Sequence, residues 1–208
     1  MSPFALFTEW YQAAEQGGQV EPNALVLSSV QENGRPTSRV VLLKHTEDET
    51  FYFFTNYNSN KAKALLANPF ASFNFHWRSP LHRQVRIEGD IVRASAKISD
   101  DYFKTRPRGS QIGAWSSPQS QKIENRSELE ARVLEFEKQF AGRDIPRPEY
   151  WGGFGLKPTR FEFWQEGEFR LHTRRLFVPQ LLGLPTSQSA GSSASQPKVQ
   201  WTECLLAP

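Results

Sequence analysis

Residues 24–44 read ALVLSSVQENGRPTSRVVLLK, and the pattern of this stretch decides the fold. Two β-branched, apolar runs, Ala24–Val30 and Thr37–Lys44, flank a polar segment carrying Asn33-Gly34, a dipeptide suited to the left-handed backbone of a hairpin. The same pattern continues outward. Thr50–Thr55 and Phe70–Trp77 read as further strands around the turn Glu47-Asp48, and His82–Ala94 resumes strand character with a bend at Gly89-Asp90. One helix interrupts the series: Ser59 caps a short segment, Lys61–Ala67, that stops at Asn68-Pro69.

Upstream, residues 3–16 form an amphipathic helix, with Phe7, Trp10 and Ala14 on one face, Pro3 in the first turn and Gly17-Gly18 as the stop. Downstream, residues 95–141 are mainly helical. Ser99 is the expected cap of Asp100–Thr105. A second helix begins at Ser127, where Ser127 and Glu130 make an S-x-x-E capping box ahead of Leu129, Val133, Phe136 and Phe140. Three late strands are expected at Thr159–Gln165, Arg170–Val178 and Val199–Leu205. Residues 179–197, rich in Ser, Gly and Pro, read as a flexible hairpin insertion. The fold class is α+β: a mostly antiparallel, barrel-like sheet with peripheral helices, in a single domain over residues 1–208.

Composition removes several function classes. The chain has 208 residues, with 25 Lys+Arg against 22 Asp+Glu, one cysteine, 16 Phe, 6 Trp and 5 Tyr. The longest aliphatic runs, such as Val40–Leu43, fall far short of the ~20 residues that span a bilayer. The N-terminus lacks a basic n-region and an apolar h-region, and Cys204 has no partner, so a cytoplasmic protein is expected. A net charge of +3 is too small to identify a nucleic-acid binder. Gly152-Gly153-Phe154-Gly155 fails the dinucleotide spacing at Pro158, and His45, His76, His82 and His172 lack metal-ligand spacing, so no metal is expected.

The positive signals are cationic. Arg39 and Lys44 bracket Val40–Leu43, but five residues apart they face opposite sides of an ideal strand. Either a bend brings them to one ligand or they are two solvated strand termini. Ser59 and Lys61 place a hydroxyl, free N–H groups and an ammonium at one helix start, a phosphate-binding combination. Tyr102, Arg106 and Ser110 recur at four-residue intervals and suit a second phosphate, although Pro107 interrupts the helix; a polar helix end is the competing reading. Arg170, His172 and Arg174 share one face of a strand by period 2, an arrangement suited to an anion or an oxidised ring, with Trp164 on the paired strand; a solvated face with chance basic residues is the competing reading.

Taken together, these segments resemble pyridoxamine 5′-phosphate oxidase. The matching segments, in order, include Gly34-Arg35-Pro36 with Arg39–Lys44, Phe54-Thr55-Asn56, Ser59–Ala62, Arg83-Gln84-Val85, and Tyr102-Phe103 with Arg106-Pro107-Arg108. They continue with Ser110–Trp115, Gln119-Ser120, Trp151–Phe154, Phe163-Trp164-Gln165, Arg170-Leu171-His172 and Leu206-Ala207-Pro208. The resemblance implies an FMN-binding split β-barrel, Greek-key-like, working as a homodimer with FMN at the subunit interface. It implies FMN contacts from Arg39, Val40, Val41, Leu42, Leu43, Lys44, Phe54, Thr55, Asn60, Lys61, Gln84, Gln119, Ser120, Trp164 and Arg174. It assigns a phosphorylated pyridine substrate to Lys44, Tyr102, Arg106, Ser110, Arg170 and His172, with Arg170 and His172 as the catalytic pair. The implied reaction oxidises pyridoxamine or pyridoxine 5′-phosphate with O2, giving pyridoxal 5′-phosphate and H2O2, with ammonia from the amine.

Several positions depart from the family pattern. Asn60 stands where many relatives have Arg, Phe54 replaces a common Tyr, and Leu205 replaces an Arg before the terminal Leu-Ala-Pro. Thr173 replaces an Asp, which removes a carboxylate that would balance Arg174 or Arg175. Three other readings compete: a flavin oxidase of the phenazine-pathway type on the same fold, a noncatalytic FMN- or pyridoxal-phosphate-binding protein, and a single-strand nucleic-acid module.

Overall fold

The computed structural model describes residues 1–180 and 199–208. The proposed 179–197 insertion therefore lies, from residue 181 onward, outside the described residues. Helix α1 (Pro3–Gln16) opens the chain. Strands β1 (Ala24–Val30), β2 (Pro36–Leu42), β3 (His45–Glu47) and β4 (Thr50–Asn56) lead to α2 (Asn60–Ala67). Then come β5 (Phe70–Trp77), β6 (Arg83–Arg93), and helices α3 (Ala96–Thr105), α4 (Arg108–Ser116) and α5 (Arg126–Gln139). Strand β7 (Trp151–Gln165), a 3-10 turn (Glu168–Arg170), β8 (Thr173–Pro179) and β9 (Trp201–Leu206) close the fold.

All the strand pairings are antiparallel, in the order β2-β1-β5-β6-β7-β4-β3. Strand β7 explains how this sheet divides. Its first half pairs with β4 through Trp151–Leu156, and its second half pairs with β8 through Phe161–Gln165 on the same edge. The changeover falls at Lys157-Pro158, where proline has no N–H to give a ladder. On the other edge, β6 shifts register at Glu88/Gly89. A Cβ on Gly89 would lie 2.0 Å from the Lys157 carbonyl oxygen, so the bulge requires glycine. The antiparallel split barrel with peripheral helices matches the expected fold class.

The aromatic composition is spent on the barrel interior. Phe51, Phe53, Phe73, Phe75, Phe161 and Phe163 are each almost completely buried. Each contributes roughly 1.5–3 kcal/mol of burial free energy. Helix α1 lays Phe7 and Trp10 on this core, with Phe7 edge-on to Phe51 at 5.0 Å and Trp10 edge-on to Phe163 at 5.3 Å. A second core cluster, Phe103, Ile112, Phe140, Ile145 and Trp151, holds the later helices to the sheet.

Four local expectations change. The run Thr37–Lys44 leaves the ladder after Leu42, because the Leu43 and Lys44 N–H groups bond to the carbonyls of Asn23 and Tyr52 instead. Helix α3 is capped by Ser95, while the buried Ser99 hydroxyl accepts the Gly153 N–H. Helix α5 is capped by Asn125, whose side chain accepts from the Glu128 N–H, two residues before the Ser127 box. Finally, β7 begins eight residues before Thr159, because Gly152, Gly153 and Gly155 are strand residues. A Cβ at each would strike Tyr57, Ala94 and Thr50, respectively, at 2.1, 2.8 and 2.6 Å.

Candidate active site

A cleft of about 440 Å³ opens between β2, β4, α2 and the α3–α4 corner. Lys44, Thr55, Lys61, Tyr102, Arg106, Ser110 and Gln119 line it, with Val40, Val41 and Leu42 from β2 and Phe54 from β4. One wall is a stack of aromatic rings. Phe54 lies 4.0 Å from Tyr102 at 20°, and Trp151 lies 5.7 Å from Phe54 at 11°. The wall can take a planar ligand, and Phe54, lacking the hydroxyl of a tyrosine, still completes it.

The floor is cationic without counter-charge. Among the described residues, Lys44, Lys61 and Arg106 form no ion pair, whereas the arginines at 86, 126, 147, 174 and 175 each do. The Arg106 guanidinium sits 4.5 Å over the Trp151 ring, and its Nη1 is buried with no hydrogen-bond partner. Burial pushes Arg106 below the usual guanidinium range and raises the Tyr102 phenol. An orphaned, buried cationic donor is costly unless an anion fills the space before it. The helix break at Pro107 helps to aim these groups: Arg106 terminates α3, and Ser110 returns from the first turn of α4.

Lys61 follows the Ser59 cap, whose Oγ accepts the Ala62 N–H at 3.4 Å. Its ammonium reaches Thr55 Oγ1 at 3.3 Å and Gln119 Oε1 at 3.4 Å. The Gln119 oxygen also accepts from the Thr55 hydroxyl at 3.0 Å. Burial, and then the nearby Arg39 charge, push Lys61 below the usual lysine range. Two like charges so arranged favour an anion between them. Arg39 itself is held by Leu27, Ser29 and Thr37 and lines an adjoining groove with Asn60 and Lys63. The Asn60 N–H donates to Ser120 Oγ at 3.2 Å. Leu43, just past β2, turns into the core, 8% exposed, and its carbonyl accepts from Asn23.

Arg170 and His172 lie elsewhere on the chain, in a second cavity of about 620 Å³ lined also by His82, Gln165, Glu166 and Phe169. No residue lines both cavities. The expectation that Arg170, His172 and Arg174 share one strand face is corrected. Phe169 and Arg170 have φ of 53° and 67°, so the chain is turning there and strand geometry begins only at Thr173. His172 and Arg174 still meet at Trp164. The His172 ring is 4.6 Å from Trp164, and Trp164 pairs in register with Arg174 on one side and Gln84 on the other.

The carboxylate missing at Thr173 is supplied from other strands. Glu162 accepts from Arg174 Nε at 2.8 Å, and Glu203 accepts from Arg175 Nε at 2.7 Å. Glu162 and the wall residue Trp151 are not among the site residues expected from the sequence. Glu162 was findable as the lone acid between the inward-facing Phe161 and Phe163.

Fold and site together define an antiparallel barrel protein with a cationic, aromatic-walled cleft. Comparison with known proteins gives the family. Residues 12–140 match the model described as pyridoxamine 5′-phosphate oxidase, and residues 151–208 match the pyridoxine 5′-phosphate oxidase C-terminal dimerisation region. The chain is 49% identical over 176 residues to the pyridoxine/pyridoxamine 5′-phosphate oxidase of Rubrobacter xylanophilus, covering 85% of this chain and 81% of that protein. It is 52% identical over 178 residues to the corresponding protein of Bordetella pertussis, covering 86% and 83%. Among solved structures, PhzG from Burkholderia lata 383, in complex with tetrahydrophenazine-1-carboxylic acid, superposes with a TM-score of 0.86 at 26% identity, covering 100% and 93%. An FMN-binding protein related to pyridoxamine 5′-phosphate oxidase, from Nostoc punctiforme, shares the fold at 17% identity and a TM-score of 0.74, covering 100% and 99%. The chain belongs to the pyridoxamine 5′-phosphate oxidase family of oxidoreductases. No described helix is long and apolar enough to cross a membrane.

Proposed function

We propose that this protein oxidises pyridoxamine 5′-phosphate or pyridoxine 5′-phosphate with O2 to pyridoxal 5′-phosphate, releasing H2O2 and, from the amine, ammonia. The observation that carries the reading is the buried, unpartnered Arg106 Nη1 in a cleft that also holds Lys44, Tyr102 and Ser110. These groups supply two cations and two hydroxyls, a donor set for the substrate phosphate. Lys61, Thr55 and Gln119, with Arg39, Asn60 and Ser120 beside the α2 start, are a second set suited to the phosphate end of FMN. When bound, FMN supplies the two-electron acceptor that dioxygen regenerates.

The chain's own contribution is binding and orientation. Phe54, Tyr102 and Trp151 exclude water along one side of the cleft, and Gln84, Trp164 and Arg174 offer polar and aromatic contacts on the second surface. The reaction centre is assembled between two copies of the chain, with the Arg170–His172 surface of one protomer meeting the cleft of its partner. Three observations support this. The two residue sets are separate on one chain, and Phe169 and Leu171, which flank Arg170, are 88% and 70% exposed. Residues 151–208, which match the dimerisation region, contain Trp164, Arg170, His172 and Arg174.

The test is to supply FMN with each substrate under air and follow pyridoxal 5′-phosphate together with peroxide. Flavin binding without product from either substrate rejects the reading. A second reading, oxidation of a phenazine-type ring, is favoured only by the likeness to PhzG. It predicts turnover of a ring lacking phosphate and no dependence on Arg106.

A further inference from the structure

The corner that carries Arg170 and His172 is closed by an unusual contact. The Gly167 N–H donates to His172 Nδ1 at 3.2 Å. Two backbone bonds brace the same turn, from the Leu171 N–H to the Glu168 carbonyl and from the His172 N–H to the Arg170 carbonyl, each 2.9 Å. A Cβ on Gly167 would lie 2.1 Å from the Leu171 carbonyl oxygen, so no other residue allows this approach without moving backbone. The imidazole is held on its other side by Trp164, at 4.6 Å and 47°.

A backbone N–H can only donate, so the ring nitrogen that faces it must present a lone pair. A neutral imidazole carries a single N–H, and with Nδ1 committed as acceptor that proton resides on Nε2. A ring that is to act as a base toward substrate needs the opposite state, with its outward nitrogen bare.

We propose that Gly167 is a positioning residue whose N–H holds His172 as the Nε2–H tautomer, making His172 a hydrogen-bond donor to a lone pair on the substrate and not a base. This rests on the reading above, in which His172 faces the substrate. Arg170 beside it would then act in the same sense, both groups donating toward an electron-rich atom.

The direct test is a long-range proton–nitrogen correlation spectrum of the FMN-loaded, 15N-histidine-labelled protein at neutral pH, with His172→Gln identifying the His172 signals. The expected result is a bare Nδ1 and a protonated Nε2. An Nδ1–H tautomer, or a doubly protonated ring, overturns the proposal. Turnover gives an independent arm. A glutamine amide can place an N–H near the Nε2 position but cannot take a proton, so His172→Gln should stay within about tenfold of the parent while His172→Ala falls by about 100-fold or more. If Gln falls as far as Ala, His172 is not acting through its donor and the proposal fails. Gly167→Ala should mix the tautomers in the spectrum while FMN content stays level; an unchanged spectrum would remove Gly167 from the role. Absence of product from the parent protein would reject the oxidase reading alone, since the tautomer is read without substrate.

Discussion

Glu162 on β7 and Arg174 on β8 form a 2.8 Å hydrogen-bonded ion pair in which the carboxylate is only 4% exposed. The other oxygen of Glu162 is 3.1 Å from Arg86 Nη2, so one buried acid lies between two arginines from neighbouring strands. Arg174 Nη1 also donates to the Ala207 carbonyl at 2.8 Å, which ties the C-terminal strand into the same cluster.

Removal of that acid should cost more than removal of a surface charge. Glu162→Ala leaves Arg174 without a carboxylate partner and Arg86 with Glu88 alone, at 3.3 Å. Because both arginines are partly exposed, the expected loss is about 2–3 kcal/mol, below the range for a fully buried pair. Urea denaturation measures it, and a loss under about 0.5 kcal/mol would mean that water replaces the carboxylate. Glu162→Gln, which keeps one acceptor, should cost less.

Arg106 should separate substrate binding from cofactor binding. Arg106→Lys keeps a charge but loses the planar fork and its stacking on Trp151. The expected outcome is a rise in KM for the phosphorylated substrate of about 10-fold or more, with flavin content unchanged. A parallel loss of flavin would place Arg106 in the cofactor site instead.

Lys61 should make flavin affinity pH-dependent. Its pKa is lowered by burial and by Arg39, so it loses its proton at a lower pH in the free protein than in the unfolded chain. Between that lowered value and the ordinary lysine value, the unfolded chain binds more protons, and the Lys61 contribution makes the free protein more stable as pH rises. A bound phosphate favours the charged form, so flavin affinity should fall across the same window. Fluorescence titration of FMN against pH reads this directly, and Lys61→Met should flatten the curve.

Gly153 tests the packing behind the aromatic wall. A Cβ there would meet Ala94 Cβ at 2.8 Å and the Phe54 ring at 3.0 Å. Gly153→Ala should destabilise the fold by about 1–3 kcal/mol and displace Phe54 from Tyr102. Denaturation and substrate KM together check it; unchanged KM would mean that Ala94, not Phe54, yields.

Local sequence carried much of this. The strand alternation around Leu25 and Leu27, the Ser59 cap and the Gly89 bend are written in neighbouring residues, because hydrogen-bond period and capping act over a few positions. The candidate cleft cations are legible for the same reason: Ser59 with Lys61, and Tyr102 with Arg106, are close in the chain. The Arg170–His172 turn was misread as strand because left-handed backbone at Phe169 and Arg170 has no local marker when the residues are not glycine.

By itself, then, the sequence determined an antiparallel aromatic barrel, its capped helices and the cationic and hydroxyl residues of the candidate cleft. Only tertiary structure decided that Glu162 compensates Arg174, that Gly152, Gly153 and Gly155 lie in a strand beneath aromatic rings, and that Arg170 and His172 stand apart from Arg106 on one chain. Those relationships join residues from about a dozen to about a hundred positions apart. Their energies come from packing and charge compensation between strands, which no local period encodes.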